Sequence, residues 1–398
     1  MPTSKIYSHN FGPDFTKRNF KRCTKCIMPD TKPGGSFDAN GVCNACLNND
    51  AKKNIDWNQR IQALRDLAEE AKRKKSTGYN CLIPVSGGKD STYLAVTARD
   101  TLGLNPLCVF VEPCYIAERG DKNAKNLSKL GFDIFRFNPS QKIMPGLLKR
   151  SFIEDGQPVR AFEFMLYSVP MRVAINYGIP LGIWGENAAV EYGNLGNTDA
   201  EDQKNCPALE GRDASHWVGN GVTERELTAF QHPTAEEFRQ SGMRVVYMSD
   251  YVFWDSRMTA EFAIKRGLAV RTPDEIKGTG GYWDFEQLDD EMPIISHLLK
   301  YIKFGYGRAT DQACRDIRNG HITREEGLAL ADEFDGQINP EYIRRYCDYI
   351  GITVEEFWKI AESFRPKETV APSPMSQPAP VQQQSPTMYQ ASPATSIV

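Results

Sequence analysis

The 398-residue sequence lacks any apolar run that approaches the ~18 residues of a membrane-spanning helix. Residues 1–22 are polar and basic, and they contain no apolar stretch of the kind that opens a secretory signal. A strong excess of one charge is also missing, because 48 basic and 51 acidic residues give a formal net charge of -3. The sequence therefore predicts a cytoplasmic protein that neither spans a membrane nor attracts nucleic acid through its overall field.

Cysteine is not scarce, and its arrangement indicates a metal site rather than disulfides. Four of the ten cysteines form the pairs Cys23-x2-Cys26 and Cys43-x2-Cys46, with sixteen residues between the pairs. Two such turns bring four thiolates into a tetrahedron, which is the arrangement of a structural zinc site. An iron–sulfur cluster uses the same type of ligand, so the spacing leaves both metals open. Four thiolate ligands leave no position for a substrate, which predicts a structural role.

A phosphate-binding loop is indicated directly after the apolar run Cys81–Val85, where the chain reads Ser86-Gly87-Gly88-Lys89-Asp90-Ser91-Thr92. A short strand, a glycine turn and a helix that opens near Ser91 would direct backbone N–H groups and the helix dipole at one point. Gly87 and Gly88 would let the backbone approach an anion closely. The alternative is an ordinary strand-to-helix turn that is rich in small residues.

The Ser-Gly-Gly-x-Asp-Ser order resembles the PP-loop of ATP pyrophosphatases, enzymes that split ATP between its α and β phosphates. Lys89 is expected to neutralise the charge that develops on the departing pyrophosphate. A carboxylate beside a triphosphate is unfavourable unless Mg²⁺ lies between them, so Asp90 is the first candidate for a magnesium ligand. Asp90 also excludes a Walker loop, because that motif has serine or threonine directly after its lysine.

Apolar strands alternate with segments of helical length in the middle of the chain. The predicted strands are Cys81–Val85, Leu107–Glu112, Ile134–Phe137, Leu181–Trp184 and Val245–Met248, and helices are predicted over 91–102, 122–130 and 162–177. This alternation predicts an α/β fold, in which a parallel sheet carries helices on both faces in the Rossmann-like manner of the PP-loop enzymes. Ligands bind such sheets beyond the carboxyl ends of the strands, where the phosphate loop falls.

The chain is predicted to contain four segments. Residues 1–55 hold an N-terminal arm and the four-cysteine module, and residues 56–290 hold the α/β domain. Within that domain, 190–240 is polar and irregular, and we expect an insertion or lid rather than core. Residues 291–368 are predicted to be helical. The stretch 369–398 contains no charged residue and is rich in Pro, Ser and Gln, which predicts disorder.

A second polar segment follows the predicted strand Leu181–Trp184. Gly185, Glu186 and Asn187 should project at the same sheet edge as the phosphate loop. Glu186 or Glu191 is expected to hold Mg²⁺, and Asn187 to hydrogen-bond a nucleotide or the attacked amide. The alternative is a polar strand end whose carboxylate is already satisfied.

Later glycine- and aromatic-rich segments suit a sugar nucleotide. The segment 277–284 combines Lys277, the flexible backbone at Gly280 and Gly281, and aromatic faces, a mixture that permits stacking and orienting hydrogen bonds. A plain loop is the alternative there. Further on, Arg308 is a candidate clamp for a diphosphate or a carboxylate.

These motifs together resemble the bacterial N-acetyl sugar amidotransferases of the PP-loop superfamily. The resemblance covers roughly residues 23–364 and rests on Cys23–Asp30, Gly41–Cys46, Ser86–Thr92, Trp184–Asn187, Lys303–Thr310, Asp316–Gly320 and Thr323–Glu326. It implies amidine synthesis on a nucleotide-linked N-acetyl sugar for lipopolysaccharide O-antigen or another surface glycan. ATP would adenylate the acetamido oxygen and release pyrophosphate, and ammonia would then displace AMP.

The resemblance also implies the cofactors and partners. They are ATP, Mg²⁺, structural Zn²⁺ and a separate glutaminase subunit that supplies ammonia, since the chain shows no glutaminase signature. The main alternative is a PP-loop tRNA-thiolation enzyme, which would need a reactive cysteine near the loop and a basic face for RNA. A zinc scaffold without catalysis is a further alternative, and the intact phosphate loop argues against it.

Overall fold

The structure is a computed structural model that describes residues 7–8, 21–193 and 214–366. The described residues up to Phe364 form one compact unit. Their strands are Tyr7–Ser8 (β1), Cys81–Pro84 (β2), Pro106–Val111 (β3), Ile134–Phe137 (β4), Leu181–Trp184 (β5), Arg244–Tyr247 (β6) and Gln337–Ile338 (β7). The predicted tail, 369–398, lies outside the described residues, and the four predicted segment boundaries stay predictions.

A parallel sheet of five strands, in the order β4-β3-β2-β5-β6, forms the centre of this unit. In its register Leu82 of β2 lies beside Leu107 of β3, and Cys81 lies beside Leu181 of β5. The predicted strands are confirmed to within one residue at each end. Because the strand order reverses between β2 and β5, a crevice opens at the carboxyl ends of these two strands.

Both faces of the sheet are buried at its central strands, β2, β3 and β5, which confirms the predicted α/β class. Every residue of β3 is buried. Alternate side chains of β2 enter two separate hydrophobic clusters, one containing Leu82 and Phe152, the other containing Ile83 and Phe110. Side chains that alternate in this way and are apolar on both sides require helices on both faces.

The helices of the described residues begin with caps of uneven strength. Their bounds are Asn44–Ala51 (α1), Trp57–Lys74 (α2), Lys89–Asp100 (α3), Glu118–Lys129 (α4), Met144–Asp155 (α5), Arg160–Asn176 (α6), Ala188–Tyr192 (α7), Ala235–Ser241 (α8), Ser256–Ile264 (α9), Pro273–Ile276 (α10), Pro293–Phe304 (α11), Arg308–Asn319 (α12), Arg324–Phe334 (α13), Pro340–Ile350 (α14) and Val354–Ser363 (α15). Helices α3, α4 and α6 begin two to four residues earlier than predicted, because their N-caps make no side-chain hydrogen bond that the sequence could signal. Among the described residues, no helix combines the length and the apolar character needed to cross a bilayer.

The C-terminal region is helical, as predicted, and packs on the sheet domain. Thr323 and Thr353 each form the capping box that their Thr-x-x-Glu sequences indicate, at the starts of α13 and α15. The ring of Phe357 in α15 stacks on Phe152 of α5 with 5.2 Å between centroids. Aromatic packing therefore joins the last helix to a helix of the α/β domain.

The prediction that 190–240 lies outside the core is wrong for residues within 214–240, and the insertion or lid itself stays a prediction. Trp217 and Phe230 are each only 2% exposed and belong to the main hydrophobic cluster. The centroid of the Trp217 ring lies 4.4 Å from the centroid of the Phe164 ring in α6. The large apolar residues there are isolated within a polar sequence. The average composition of the segment therefore gave no sign that these residues are buried. Residues 194–213 lie outside the described residues.

Candidate active site

The predicted phosphate loop forms a compact turn directly after β2. Gly88 is the N-cap of α3, so the helix begins at Lys89, two residues before the predicted start. The Gly88 carbonyl accepts hydrogen bonds from Ser91 Oγ at 3.1 Å and from Thr92 Oγ1 at 2.9 Å. Ser86 Oγ accepts one from the Gly88 N–H at 3.2 Å. The hydroxyl groups of the motif thus hold the start of α3, and with it the unpaired N–H groups of the first helical turn, at the sheet edge.

Gly87 fits its position because it has no side chain. Its φ of +80° lies in the left-handed region, and a β-carbon there would stand 2.7 Å from the Ala124 nitrogen and 2.9 Å from the Asn123 carbonyl carbon. Both atoms belong to the backbone of α4, which cannot yield as a flexible side chain can. The loop is therefore pressed against α4 in a shape that only glycine adopts without strain.

We expect Gly87→Ala to destabilise the protein by at least about 2 kcal/mol, because it combines left-handed strain with a backbone clash. Chemical denaturation monitored by circular dichroism measures this change. Gly146→Ala is the matched control, since Gly146 in α5 is exposed and a β-carbon there would meet no atom within 4 Å. Its expected effect is less than ~1 kcal/mol. Equal stability of the two variants would contradict the close approach to α4.

Asp90 is fixed at its position but remains open to solvent. Its Oδ1 accepts a hydrogen bond from Thr259 Oγ1 of α9 at 2.9 Å, and its Oδ2 pairs with Lys89 Nζ. The Asp90 side chain is 34% exposed, whereas that of Lys89 is only 6% exposed. Lys89 Nζ also lies 5.8 Å from the centre of the Phe285 ring. A cation that binds both the protein and a triphosphate needs a carboxylate that is held in one orientation and is still accessible to solvent.

The segment after β5 lies beside the loop after β2, as the strand order requires. A β-carbon at Gly185 would stand 3.8 Å from the β-carbon of Asp90 and 3.6 Å from the Trp254 ring. Gly185 therefore leaves the space through which the two strand ends meet. The structure thus brings Asp90 and the neighbouring Glu186 to one edge of the sheet.

Two residues that the sequence analysis did not single out hold Glu186. Arg315 Nη2 of α12 donates to Glu186 Oε2 at 2.6 Å, and Tyr192 Oη lies 3.3 Å from Oε1. The Glu186 side chain is still 26% exposed. The alternative prediction, that Glu191 holds Mg²⁺, is wrong, because the Glu191 carboxylate forms a buried ion pair with Lys52.

Asn187 joins the loops that follow β5 and β6. Its backbone N–H donates to Ser249 Oγ at 2.8 Å, and its amide nitrogen lies 3.4 Å from Asp250 Oδ1. Asn187 is 3% exposed. Burial raises the pKa of Asp250 to about 6. The described contacts of Asn187 are therefore internal, and its predicted contact with a ligand stays a prediction.

Arg308 lies deep beside the phosphate loop, with a partner already in place. Its Nε donates to Glu286 Oε2 at 2.8 Å and its Nη2 donates to Oε1 at 2.6 Å, a bidentate pair. Burial alone would raise the pKa of Glu286, but Arg308 and then Lys89 outweigh it and hold that pKa well below its ordinary value. Arg308 and Lys89 thus face the same carboxylate. For Arg308 to bind a diphosphate or a carboxylate of a ligand, its ion pair with Glu286 would have to break.

The aromatic residues of the segment 277–284 are engaged with the protein. Tyr282 Oη and Trp283 Nε1 both donate to Asp316 Oδ2, at 2.7 Å and 3.0 Å, and Trp283 is 4% exposed. The expectation that this segment offers open stacking faces is therefore wrong for Trp283. Lys277 forms an exposed ion pair with Asp274 of the preceding turn. Its predicted role in substrate binding stays a prediction.

The glycines of this segment serve close packing on α12. The Gly280 carbonyl accepts a hydrogen bond from the Ala309 N–H at 3.0 Å. A β-carbon at Gly281 would stand 2.8 Å from the Gln312 amide nitrogen. Gln312 in turn donates to Glu286 Oε2 at 2.8 Å. Gly280 and Gly281 thereby pack closely on the helix that carries Arg308, and their predicted role in substrate binding stays a prediction.

The four predicted metal ligands come together at the N-terminal module. The Sγ atoms of Cys23, Cys26, Cys43 and Cys46 all lie within 4.8 Å of one another. Two of these separations are 3.9 Å, between Cys23 and Cys46, and 3.6 Å, between Cys26 and Cys43. Four thiolates ~2.3 Å from one zinc ion stand roughly 3.8 Å apart, whereas a cluster spreads its cysteines over several irons. The donor set fits a single ion.

The four-cysteine module packs against both halves of the candidate site. A β-carbon at Gly193, directly after α7, would stand 2.4 Å from the Ala45 nitrogen of the module. On the other side, Arg324 Nε of α13 donates to the Cys26 carbonyl at 3.0 Å. Because α7 follows Glu186 and α13 follows α12, the module connects the two elements that hold Glu186.

A known family matches the C-terminal part of the chain. Residues 279–370 match the family model described as LPS biosynthesis protein WbpG-like, C-terminal domain. The matched part contains α12, which contributes Arg308 and Arg315 to the candidate site.

Similarity elsewhere is more distant. The uncharacterized protein MJ1599 of Methanocaldococcus jannaschii is 28% identical over 112 residues. These residues are 27% of this chain, and they span only 39% of the length of that relative. An NH3-dependent NAD synthetase from Campylobacter jejuni in complex with the nitrate ion is 17% identical, with a TM-score of 0.26 over 34% of this chain and 58% of that chain. A predicted subunit of tRNA methyltransferase from M. jannaschii is 16% identical, with a TM-score of 0.28. The match covers 56% of this chain and 87% of that chain.

At these TM-scores neither solved structure bears on what the chain does. The family match is of another kind, because it falls on the residues that complete the crevice beside β2 and β5. It also agrees with the surface-glycan family that the sequence resembles. The comparisons therefore show that residues 279–370 are similar to the C-terminal domain of WbpG-like LPS biosynthesis proteins, and that this stretch follows the parallel sheet in the chain.

Proposed function

We propose that the chain is the synthase subunit of an ATP-dependent amidotransferase. It would convert the acetamido group of a nucleotide-linked N-acetyl sugar into an acetamidino group for lipopolysaccharide O-antigen or another surface glycan. The observation that carries the proposal is the meeting of three elements at one crevice. They are the phosphate loop, the accessible carboxylates of Asp90 and Glu186, and α12 of the WbpG-like domain.

The residues of this crevice fit ATP and Mg²⁺. Gly87 lets the loop adopt the tight shape that presents the N–H groups of α3, and Lys89 places a cation in its first turn. Asp90 and Glu186 offer carboxylate oxygens, which are the ligands that Mg²⁺ prefers. Mg²⁺, when bound, neutralises phosphate charge and so permits these carboxylates beside ATP.

The proposed reaction turns a poor leaving group into a good one. The acetamido oxygen attacks the α-phosphorus of ATP, the bond to the β-phosphate breaks, and pyrophosphate leaves. Lys89, which is buried beside Asp90, would balance the negative charge of the leaving pyrophosphate. Ammonia then adds to the former carbonyl carbon and loses a proton, and AMP departs with the original oxygen.

Zinc is the metal proposed for the four-cysteine module, and its role is structural. The Sγ separations suit one tetrahedral ion, and four thiolates leave no ligand position for a substrate. The backbone N–H of Cys43 donates to Cys23 Sγ at 3.2 Å, which stabilises a thiolate there.

A separate glutaminase subunit is the proposed source of ammonia, and neither nucleic acid nor a membrane is a proposed partner. Among the described cysteines outside the module, burial raises the pKa of both Cys108 and Cys114 to about 12. A thiol with so high a pKa is a poor nucleophile at neutral pH. This observation favours neither a glutaminase site nor a persulfide-bearing cysteine at these two positions.

The experiment that tests the proposal is mass spectrometry of UDP- and CMP-linked acetamido sugars incubated with the protein, ATP, Mg²⁺ and ammonium. We expect one sugar to show the mass change of oxygen replaced by NH, together with equal amounts of AMP and pyrophosphate. Omitting ammonium should abolish the product. ATP consumption stimulated by tRNA, with no modified sugar, would contradict the proposal and favour the thiolation enzyme.

A further inference from the structure

Arg315 is a buried cation whose contacts converge on Glu186. Its Nη2 donates to Glu186 Oε2 at 2.6 Å and also pairs with Ser256 Oγ of α9. Its Nη1 donates to Tyr192 Oη at 3.0 Å. The residue is 5% exposed, and its guanidinium carbon lies 5.4 Å from the centre of the Trp283 ring. The rings and hydroxyls around it hold the guanidinium in one orientation.

Tyr192 closes a small network around the same carboxylate. A tyrosine phenol ordinarily keeps its proton at neutral pH, so Tyr192 can donate one hydrogen bond and accept another. Its oxygen can then accept from Arg315 while its proton is donated toward Glu186 Oε1, 3.3 Å away. Each oxygen of Glu186 is therefore held by a different donor. A carboxylate with both oxygens held cannot rotate freely.

Helix α9 brings this network next to Asp90. Ser256, which pairs with Arg315, and Thr259, which donates to Asp90 Oδ1, are three residues apart on α9. Residues with this spacing are neighbours on one helical face, with ~5–6 Å between their β-carbons. One turn of α9 thus supports the groups that orient both accessible carboxylates of the site.

We propose that Arg315 is a positioning residue, which acts with Tyr192 to orient the Glu186 carboxylate beside Asp90 for a divalent cation bound with ATP. The WbpG-like domain, through α12, thereby completes a metal–nucleotide site whose loop belongs to the sheet domain. This inference rests on the proposed function only in that ATP and a divalent cation bind together at this crevice.

A double-mutant cycle tests whether Arg315 acts through Glu186. The probe is Mn²⁺ titrated against the full chain in the presence of a non-hydrolysable ATP analogue, with free Mn²⁺ read by electron paramagnetic resonance. We expect Glu186→Gln and Arg315→Gln each to weaken Mn²⁺ binding by about 10-fold or more. The double variant should bind no more weakly than Glu186→Gln alone, because the two losses share one cause. If the double variant instead loses Mn²⁺ affinity by the product of the two single-variant losses, the proposal is overturned.

Companion variants separate positioning from simple loss of folding. Arg315→Lys keeps the buried cation but cannot reach Glu186, Tyr192 and Ser256 together, so we expect the melting temperature to recover more than the Mn²⁺ affinity. Recovery of both to the same degree would contradict orientation as the role. Arg345→Gln removes a peripheral arginine that pairs with Glu291 and Glu341, and it should leave Mn²⁺ binding unchanged.

The cycle also distinguishes this inference from the proposed function. If the unmodified chain binds Mn²⁺ with the analogue but the cycle is additive, only the role of Arg315 is refuted. If the unmodified chain binds no Mn²⁺ with the analogue, the proposed ATP chemistry fails and the positioning role fails with it.

Discussion

Asp90→Asn is expected to lower pyrophosphate release by about 100-fold or more, because it removes a negative charge proposed to face the metal. The substitution keeps the size of the side chain and the oxygen that accepts from Thr259 Oγ1 at 2.9 Å. The ion pair with Lys89 is lost, but the Asp90 side chain is partly exposed, so we expect folding to change less than turnover. The measurement is a coupled pyrophosphate assay with sugar nucleotide, ammonium and varied Mg²⁺, alongside a thermal melt.

Asp100→Asn is the matched control for this prediction. Asp100 ends the same helix, α3, and its carboxylate pairs with Arg99 at the surface. Exposed pairs of this kind contribute little, so turnover should remain within about twofold of the unmodified protein. Full activity of Asp90→Asn would show that Asp90 does not assist the metal, and the phosphate loop would then need another carboxylate.

Cys43→Ser is expected to abolish zinc retention and to lower both stability and turnover. Apparent zinc-binding free energies in small modules are about 10–16 kcal/mol, so a lost ligand removes a large part of the free energy that folds the module. The module contacts α7 through Gly193 and α13 through Arg324, and these elements flank the residues that hold Glu186. We therefore expect a fall of the melting temperature on the order of 5–10 °C.

Elemental analysis after dialysis, combined with a thermal melt, measures this effect. The unmodified chain should retain about one zinc per chain, and Cys43→Ser should retain little. Cys114→Ser is the control, because Cys114 is half-buried and lies outside the four-cysteine cluster. Iron in place of zinc, or an unchanged melting temperature for Cys43→Ser, would refute the structural zinc site.

The predictions that succeeded rest on local patterns with a physical cause. The strands were found because a doubly covered parallel sheet needs continuous apolar runs, and β3 is buried along its whole length. The four cysteines were found because two short turns suffice to bring them together. The capping boxes at Thr323 and Thr353 likewise depend on residues only three apart.

The predictions that failed concern what a side chain meets across the fold. Glu191 and Glu186 stand only five residues apart, yet Glu191 forms a buried ion pair with Lys52 while Glu186 pairs with Arg315 and stays partly exposed. Trp283 was expected to offer an open face, but its indole nitrogen donates to Asp316. These partners come from distant parts of the chain, and spacing along the sequence carries no information about them.

One signal for Gln312 and Arg315, which the sequence analysis did not single out, was present in the sequence. Arg308, Gln312 and Arg315 fall at positions i, i+4 and i+7, so they share one face of α12. A polar face on a helix is ordinarily exposed to solvent, yet Gln312 and Arg315 are buried here. Only the packing of α12 against the sheet edge distinguishes a buried polar face from an exposed one.

By itself the sequence determined the parallel sheet, the phosphate loop and the four-cysteine cluster, because each depends on residues that are close in the chain. Only the tertiary structure decided which carboxylate stays accessible, and which cations hold it. Glu186 is available because Arg315, 129 residues away, orients it without covering it. Buried charges must find partners wherever the fold brings them, so the pairing is a property of the packed molecule.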